Sequence, residues 1–461
     1  MSEKENLILK TLHDNDLILA NKLLKQYESE QINQSSYYFL NACFFIKKGN
    51  LTNGWLWLWR GLELFPEDKK LLYLMWMISQ LLGRRGQEQV YKEKKELLNN
   101  NIEIAFQLPF DLDSYEKVNI QSSFSVLQGS MEIANQMNTL SQGLKRLGIS
   151  SHTLNYYPYY LNYVSDYEWS LIGQRSTPTI NTQLRKLTEE FLLNYDVFHF
   201  HWGTSLTLDW SDIPILKASE KEIVMQHWGS DVRLISEAKK LNPYALVKNA
   251  NEDLIKWNLQ KLSQQIKHCV VFDMELYHYV KDYYENVSVI PAMVDMDQYQ
   301  PSVNEKKKNK LLIAHAPTSP YIKGTQYILK AIESLKDQYN FDFITVQGKS
   351  HEEAIQIYRE ADLIIDQLHI GSYGLFAIET MAMSKPVICW ISDYMKENYP
   401  KDLPIIIANP DTIKDCIENA LKNLDMLPEI GKRGRAYVEK NHDMVKNSKQ
   451  MLSLYRTIQK K

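Results

Sequence analysis

Residues 371–388, GSYGLFAIETMAMSKPVI, carry the most informative pattern in this chain. A strand-like apolar run precedes them at 361–366, and a second apolar run closes them at 387–390. Between these runs Gly374 starts an amphipathic helical segment, and Glu379 lies one turn into it. Strand, glycine turn, helix start and carboxylate together predict a site for a phosphorylated ligand, because free backbone N–H groups and the helix dipole face the phosphates. The carboxylate can then accept hydrogen bonds from ribose hydroxyls.

This order resembles the C-terminal signature of GT-B glycosyltransferases of the GT4 type, whose usual form is E-G-F-G-L-x-x-x-E-A-M-A-x-G-x-P-V. The resemblance runs from about residue 117 to residue 455, and residues 286–301 are similar to the segment by which this family crosses between its domains. It implies a nucleotide-sugar glycosyltransferase in which Glu379 anchors the ribose. The positions of the motif that it assigns to the donor are Gly371, Ser372, Tyr373, Gly374 and Leu375.

Gly371 stands where the signature has its first glutamate, which in that family contacts the sugar hydroxyls of the donor. A carboxylate that holds two hydroxyls forms charge-assisted hydrogen bonds that a glycine cannot form. Either other side chains hold the sugar, with Asp366, His369 and Ser372 as candidates, or donor turnover is impaired. GT4-like proteins with a D-Q-L-x-x-G-x-Y-G motif, which matches residues 366–374 here, also lack this glutamate.

Lys323 and Gly324 lie in a loop that resembles the one by which the family grips the donor diphosphate. A lysine suits this place, because a diphosphate held without a metal ion needs a compact cation and several N–H donors. The arginine that usually precedes this lysine is absent, and its candidate positions hold proline or threonine. That leaves His315 and Lys323 as the nearby positive groups. An exposed lysine at a helix start is the structural alternative for Lys323.

In the first half of this region, residues 227–233, HWGSDVR, resemble the family's H-G-x-D segment at a strand end. The resemblance implies that His227 points into the cleft and contacts the donor sugar or its leaving phosphate, with Asp231 in the same segment. Gly129, in a turn between a strand and a helix, corresponds to the N-terminal glycine loop near the donor phosphates. A single glycine there is often only a turn residue.

His199 and His201 alternate along a predicted strand, so both side chains share one face. A role in the cleft and a place in the core are equally open for both. Three histidines near strand ends also suggest zinc, but no cysteine or HExxH spacing supports a metal site, and strand ends of such sheets bind other ligands. We therefore expect no metal and no cofactor, with a UDP- or GDP-linked sugar as the substrate.

The 461-residue chain is too long for one core, and its 44% hydrophobic and 24% charged residues are ordinary for a soluble globular protein. A net charge of -3 gives no reason to expect nucleic-acid binding, and the lysine run at 306–308 lies in a polar connector. The four cysteines are scattered, the start lacks a signal-peptide pattern, and no apolar run is long enough to span a bilayer. These features predict a cytoplasmic protein and leave peripheral contact with the inner face of the membrane open.

Residues 1–105 read as helix after helix at 3.6-residue periodicity, and residues 35–68 form one clear repeat. Small residues at Gly54 and Gly61 and a turn glycine at Gly49 resemble the tetratricopeptide pattern, in which small positions let two antiparallel helices pack closely. The neighbouring repeats are degenerate, so a plain helical bundle is the alternative. The repeat implies a protein partner or a large acceptor, because such repeats build concave peptide-binding surfaces.

From residue 116 onward, short apolar strands alternate with helices, which is the pattern of α/β architecture. Two successive series of strands predict two Rossmann-like domains that face a cleft. Together with the resemblance, this predicts a GT-B fold preceded by an all-α, tetratricopeptide-like domain. The predicted domains are a helical domain at 1–105, an acceptor-side Rossmann-like domain at 112–292, a donor-side one at 293–440, and a C-terminal helix at 441–461 that packs back on the first Rossmann-like domain.

The implied reaction is transfer of a hexose from a nucleotide diphosphate sugar to a glycan, lipid-linked or protein acceptor, with retention at the anomeric carbon and without a metal ion. Bacterial cell-surface glycan synthesis or protein glycosylation would use such a reaction. The predicted catalytic residues are His227, Lys323 and Glu379, and further side chains predicted in the cleft are His199, His201, Asp231, His315 and Asp366.

Two other functions stay open at this point. Loss of the first glutamate and of the diphosphate arginine suits a GT-B-shaped binding subunit with little or no turnover, which presents an acceptor or a partner enzyme through its helical repeat. Retention of Lys323, Glu379 and the segment at 227–231 argues against a subunit of that kind. An epimerase or a phosphorylase of the same fold is the third alternative.

Overall fold

The structure, a computed structural model, describes residues 2–31, 34–97, 108–117, 124–159, 161, 163–174, 178–301 and 310–459. The centre of the strand predicted near 117–124 and the lysine run at 306–308 lie outside the described residues. Within the described ranges, the helices are each too short or too polar to cross a membrane.

Helices and strands alternate along the chain after an initial stretch of helices. The helices are α1 (Glu3–His13), α2 (Leu17–Gln31), α3 (Ser35–Lys47), α4 (Leu51–Leu64), α5 (Lys69–Leu81), α6 (Arg85–Leu97), α7 (Gln136–Arg146), α8 (Pro178–Leu192), α9 (Asp212–Ala218), α10 (Ile235–Leu241), α11 (Glu252–Ser263), α12 (Met274–Val280), α13 (Pro320–Lys323), α14 (Thr325–Leu335), α15 (His351–Glu360), α16 (Leu375–Ala382), α17 (Asp393–Asn398), α18 (Ile413–Lys422), α19 (Leu427–Asn441) and α20 (Met444–Ile458). The strands are β1 (Ser125–Ser130), β2 (Ser150–Asn155), β3 (Tyr167–Glu168), β4 (Val197–His201), β5 (Glu222–Gln226), β6 (His268–Val271), β7 (Asn286–Val289), β8 (Leu311–His315), β9 (Phe341–Thr345), β10 (Leu363–Ile365), β11 (Val387–Cys389) and β12 (Ile406–Ile407).

The chain divides into two compact units, and the first consists of Met1–Ser125 together with Ser165–Tyr195. The sequence prediction placed the second of these segments in the Rossmann-like domain at 112–292. It groups with the helices instead, because its aromatic residues fill the same core. The ring of Trp55 lies 6.3 Å from that of Tyr167 and 6.4 Å from that of Phe191, measured between centroids.

Helices α3 and α4 of the first unit approach each other at distances that only glycine permits. An ideal Cβ on Gly54 would lie 2.6 Å from Ile46 Cγ1, and one on Gly61 would lie 2.7 Å from Tyr38 Cβ. The turn between the helices holds Gly49 at a φ of +84°. The predicted all-helical region before the sheets is confirmed, whereas its tetratricopeptide class stays a prediction.

The second unit, Val126–Val164 with Asp196–Lys461, contains two sheets of parallel strands. In the first sheet β2, β1, β4, β5, β6 and β7 follow one another, and in the second the order is β12, β11, β10, β8 and β9. The strand order reverses between β1 and β4 and again between β8 and β10. Open α/β sheets bind ligands at such points, outside the carboxyl ends of the strands. The two predicted Rossmann-like halves are therefore present.

Helix α20 packs against the first of these halves. An ideal Cβ on Gly143 in α7 would lie 2.0 Å from Ser448 Oγ, so α20 lies directly on the backbone of α7. Near the other end of α20, the Tyr455 hydroxyl lies 2.6 Å from Nδ1 of His199 on β4. Helix α20, the last helix that the structure describes, thus packs on the half that comes first in the sequence.

Candidate functional site

The carboxyl ends of the strands in the second unit surround a cavity of about 570 Å³. Lining residues follow the strands within two positions: Met131 after β1, Trp202 after β4, Trp228 after β5, Phe272 after β6, Ala316 after β8 and Gln367 after β10. Because both sheets contribute, the cavity lies at the place where the topology predicts a ligand.

Lys323 lines this cavity and forms an ion pair with Asp366. Its Nζ lies 2.5 Å from Asp366 Oδ1, and 14% of the lysine side chain is exposed against none of the aspartate. The other oxygen, Oδ2, accepts a hydrogen bond of 3.2 Å from the backbone N–H of Gly374, just before α16. The structure thus brings together the two groups predicted to bind phosphate, the Lys323 ammonium and the start of α16. Asp366 was predicted to lie in the cleft, but it is a buried anchor that holds both.

His315 does not supply a second positive charge. Its Nδ1 donates to the carbonyl of Ile365 at 2.8 Å, so its Nε2 must accept from the Thr325 hydroxyl, also at 2.8 Å. Burial lowers the pKa of His315 to about 4. The prediction that His315 is a cleft cation is therefore wrong, because the ring is neutral and both nitrogens are bonded inside the protein. Gly324, at a φ of +75°, likewise packs on Leu368 rather than lining the cavity.

The missing positive charge comes from the first half, in Arg233 and Lys248. Arg233 pairs with Glu275 through Nε at 2.8 Å and Nη2 at 2.7 Å, which leaves Nη1 outside this pair. Lys248 has no hydrogen-bond partner in the described part of the chain. Partial burial and the positive charges of Lys323 and Arg233 lower the pKa of Lys248, so the three cations are close enough to repel one another. Sequence reasoning quoted Arg233 without a role and missed Lys248.

Glu379 also lines the cavity and is held by two partners. Its Oε1 accepts from the Tyr299 hydroxyl at 2.9 Å and lies 3.1 Å from Nε2 of His351. Among the described residues, nothing bonds its Oε2. Burial alone would lower the pKa of His351, but the hydrogen bond and charge of Glu379 raise it above its usual value. His351 and Tyr299 were not predicted as site residues.

Gly371 does not line the cavity. At its φ of +83°, an ideal Cβ would lie 2.7 Å from Asn242 Nδ2. That amide donates to the His369 carbonyl at 2.8 Å, and His369 Nδ1 donates to the carbonyl of Tyr244 at 2.9 Å. Gly371 and His369 therefore join the two halves of the second unit, and their prediction as donor contacts stays a prediction without support from the cavity lining. Of the neighbouring predicted residues, those that line the cavity are Ser372, Tyr373, Gly374 and Leu375.

The sequence matches no family model and no curated protein. Among solved structures, the chain resembles a glycosyltransferase from Rickettsia africae ESF-5, with 16% sequence identity and a TM-score of 0.53, covering 73% of this chain and 98% of that one. It also resembles a sucrose-phosphate synthase from Thermosynechococcus elongatus, with 14% identity and a TM-score of 0.51, covering 72% and 98%. The fold is GT-B. At such low identity the likeness shows the fold alone, and it confirms the predicted fold class.

In this GT-B fold the histidines of the first sheet are part of the protein interior. His199 and His201 are fully buried, and burial lowers the pKa of His199 to about 3. His201 bonds Gln128 through Nε2 at 3.0 Å and accepts from the indole N–H of Trp228 at 3.0 Å. Of the two places that the sequence left open, the core is the correct one. His201 contributes to the GT-B cavity by holding Trp228, which lines it.

His227 also has both ring nitrogens bonded inside the protein. Nδ1 lies 2.7 Å from Asp231 Oδ2, and Nε2 lies 2.8 Å from the Tyr284 hydroxyl. The ring borders a second, adjoining cavity but not the cavity that holds Lys323 and Glu379. Because both ring nitrogens are bonded inside the protein, this geometry gives the predicted contact of His227 with a donor sugar no support, and it stays a prediction. Asp231 is likewise used inside the fold.

Gly129 is the next-to-last residue of β1 and lies two positions before Met131, the first residue of this loop that lines the cavity. The lining part of this loop carries Glu132, whose two oxygens accept from the backbone N–H groups of Met137 and Asn138 at 3.0 Å. Burial raises the pKa of Glu132 to about 7. The loop thus presents a carboxylate where the sequence predicted only a glycine turn. Across the described ranges, no three His, Cys, Asp or Glu side chains are grouped to hold a metal ion.

Proposed function

We propose that this GT-B protein transfers a hexose from a nucleotide diphosphate sugar to a glycan, lipid-linked or protein acceptor. The observation that carries the proposal is one cavity with a cluster of cations at one part and an oriented carboxylate at another. Lys323, Lys248 and Arg233 form the cluster, and Glu379 is the carboxylate. A nucleotide diphosphate matches this arrangement, because its anionic diphosphate suits the cations and the hydroxyls of its neutral ribose suit the carboxylate.

The diphosphate end of the ligand would be bound by Lys323 and Lys248 together with the start of α16. Gly374 shares its N–H with Asp366, but the next N–H groups, of Leu375 and Phe376, begin the helix and have no earlier helical carbonyl to bond. These groups and the helix dipole favour negative charge. They would also stabilise the charge that develops on the leaving diphosphate, which supports transfer without a metal ion.

The ribose end would be bound by Glu379. Tyr299 and His351 fix Oε1, so the carboxylate is oriented before a ligand arrives, and Oε2 is available to accept from ribose hydroxyls. A carboxylate whose rotamer is fixed in advance loses less entropy when it binds. The place of Glu379 in the cavity lining, with Oε1 held by two partners, thus supports the ribose role that the resemblance assigns to it.

We extend the proposal to the GT4 type, to retention at the anomeric carbon, and to a tetratricopeptide-like class for the first unit. Support for the GT4 type comes from the spacing between Lys323, Gly374 and Glu379 along the chain. Support for the repeat class comes from the close approach of α3 and α4 at Gly54 and Gly61. A protein partner or protein acceptor would bind such a helical repeat.

A calorimetric titration of the protein with UDP, GDP and their sugars tests the proposal. We expect one nucleotide to bind with micromolar affinity, and Glu379→Ala to weaken it at least about tenfold, because a charge-assisted hydrogen bond contributes about 1.5–3 kcal/mol. The exposed Glu397 provides the matched control, and Glu397→Ala should bind as the unchanged protein does. No binding of any nucleotide, or equal losses in both variants, would exclude the proposed function.

A further inference from the structure

The loop of residues 242–251, between α10 and α11, belongs to the first Rossmann-like half but is bonded to the second. The side-chain amide of Asn242, which is 3% exposed, donates to the carbonyl of His369 at 2.8 Å. Its Oδ1 accepts from the indole N–H of Trp390 at 2.9 Å and from the backbone N–H of Tyr244 at 3.0 Å. One buried side chain thus fixes the start of this loop to the segments that follow β10 and β11.

Tyr244, two positions further along the loop, adds contacts with the same half. Its carbonyl accepts from His369 Nδ1 at 2.9 Å, and its hydroxyl donates to Asp411 Oδ2 at 2.5 Å. The rings of Tyr244 and Trp390 lie 5.4 Å apart, measured between centroids. We call the contact formed by these residues the clasp; its members are Asn242, Tyr244, His369, Trp390 and Asp411. Loss of a buried amide that both donates and accepts would leave its partners unpaired, so Asn242 is the central member.

The clasp depends on the glycine that stands where the GT4 signature has its first glutamate. At the φ of +83° of Gly371, an ideal Cβ would lie 2.7 Å from Asn242 Nδ2 and 3.0 Å from Ser392 Cβ. A side chain at this position would therefore displace the Asn242 amide from its partners. The departure from the signature and the presence of the clasp are thus two aspects of one local arrangement.

Lys248 lies six positions after Asn242, in a part of the loop that is bonded at its two ends. At the far end, the Asn251 side chain caps α11 by accepting from the backbone N–H of Leu254 at 3.1 Å. Across the described ranges, no hydrogen bond between main-chain groups involves residues 246–248. The position of Lys248 in the cavity lining therefore depends on the clasp at one end of the loop and on the cap at the other.

Electrostatic repulsion acts against this position of Lys248. Lys323 and Arg233 line the same cavity, and after burial their positive charges are the causes that lower the pKa of Lys248. Each of these two cations pairs with a carboxylate inside the fold, whereas no carboxylate of the described residues pairs with Lys248. Repulsion favours movement of the unpaired ammonium group toward solvent. The clasp opposes this movement, and a bound diphosphate would offset the repulsion.

We infer that Asn242 is a positioning residue of the nucleotide site and that it acts through Lys248. The inference rests on the proposed function. By holding the start of the loop on the second half, Asn242 keeps the Lys248 ammonium group in the cavity beside Lys323, where both bind the diphosphate. The bound diphosphate in turn attracts Lys248, so the nucleotide and the clasp stabilise the same conformation of the loop.

The test is a double-mutant cycle, measured by calorimetric titration of the full chain with UDP and GDP. Lys248→Met should weaken nucleotide binding at least about tenfold, the fold-change expected for a lost charge-assisted hydrogen bond. Asn242→Ala should weaken it about threefold to tenfold, because the loop then holds Lys248 in the cavity for only part of the time. The double variant should bind as weakly as Lys248→Met alone, because the effect of Asn242 passes through Lys248.

Matched variants keep the test decisive. Trp390→Phe removes one donor of the clasp and keeps an aromatic ring, so it takes the place of Asn242→Ala in the cycle if denaturant unfolding shows that Asn242→Ala does not fold. Lys239→Met removes an exposed lysine from α10, and Asn398→Ala removes an exposed amide from α17. Both control residues lie outside the two cavities, so both control variants should bind nucleotide as the unchanged protein does.

The outcomes separate this inference from the proposed function. Losses of affinity that multiply in the double variant would overturn the inference, since a merely structural role of Asn242 weakens the site independently of Lys248. Unchanged affinity in Lys248→Met, or in the folded variant of the clasp, would overturn it as well. In each of these outcomes the unchanged protein binds a nucleotide, so the proposed function stands. If no nucleotide binds the unchanged protein, the proposed function fails and this inference fails with it.

Discussion

Polar residues lie near the strand ends of both sheets in the second unit. The two sheets differ in whether the polar atoms of these residues are bonded inside the protein. Beyond β8 and β10, Lys323 and Glu379 line the cavity, and no described residue bonds the Oε2 atom of Glu379. His201, at the end of β4, and His227, just after β5, have both ring nitrogens bonded within the protein. A polar residue near a ligand site is thus available for binding only when its internal partners leave an atom unused.

Lys323 gives the strongest test of this difference. We expect Lys323→Met to lower the free energy of unfolding by about 3–5 kcal/mol, because it leaves the carboxylate of Asp366 buried without its partner. Denaturant unfolding would measure this loss. The double variant Lys323→Met with Asp366→Asn should recover most of the stability but not the nucleotide affinity, which calorimetry would measure. Nucleotide binding equal to that of the unchanged protein would show that Lys323 has only a structural role.

Gly371 tests the boundary between the two halves of the second unit. Gly371→Ala should lower the free energy of unfolding by about 1–3 kcal/mol, because its backbone is left-handed and its Cβ meets Asn242. Gly348, at a φ of +65° with nothing within 4 Å of an ideal Cβ, is the matched control. Gly348→Ala should cost only the backbone strain, about 1 kcal/mol. If Gly371→Glu instead raised nucleotide-sugar affinity, the position would face the donor after all.

His199 tests whether the histidines of the first sheet are neutral core residues. The pKa of His199 is about 3 in the folded protein, against an ordinary value of 6.5, so the unfolded chain binds its proton first as pH falls. Stability is therefore lost between about pH 6.5 and pH 3, at about 1.4 kcal/mol per pH unit for this group. We expect His199→Asn, which keeps an acceptor for Tyr455, to reduce the acid slope of the unfolding free energy by that amount. An unchanged slope would contradict this account.

Much of the fold could be predicted from the sequence because its signals are local. The strand of β8 and the start of α16 follow from apolar runs and from Gly374, and the close helix pair follows from Gly54 and Gly61. Glu379 was predicted from the short signature at 371–388, and Lys323 from a separate loop that resembles the family's diphosphate-binding loop. The grouping of Ser165–Tyr195 with the helices could not be predicted, because α8 is an ordinary amphipathic helix and the sequence does not say which core it fills.

The rest of the site could not be predicted, because it depends on residues that meet only in the folded chain. His351 precedes Glu379 by 28 positions, and Tyr299 precedes it by 80. Lys248 lies in the loop between α10 and α11 of the other half, and no sequence motif around it marks it as a site residue. The buried histidines show the converse: a histidine at a strand end looks the same in sequence whether its nitrogens are bonded or not.

The pair formed by Lys323 and Asp366 has a consequence for when side-chain freedom is lost. A free lysine side chain carries about 2 kcal/mol of rotamer entropy, which is lost when it is fixed. Asp366 holds the ammonium group with 14% of the side chain exposed, so most of this loss occurs as the chain folds. An anionic ligand therefore meets a cation that is already ordered. Because that residue loses its rotamer entropy during folding, ligand binding has a smaller entropy cost.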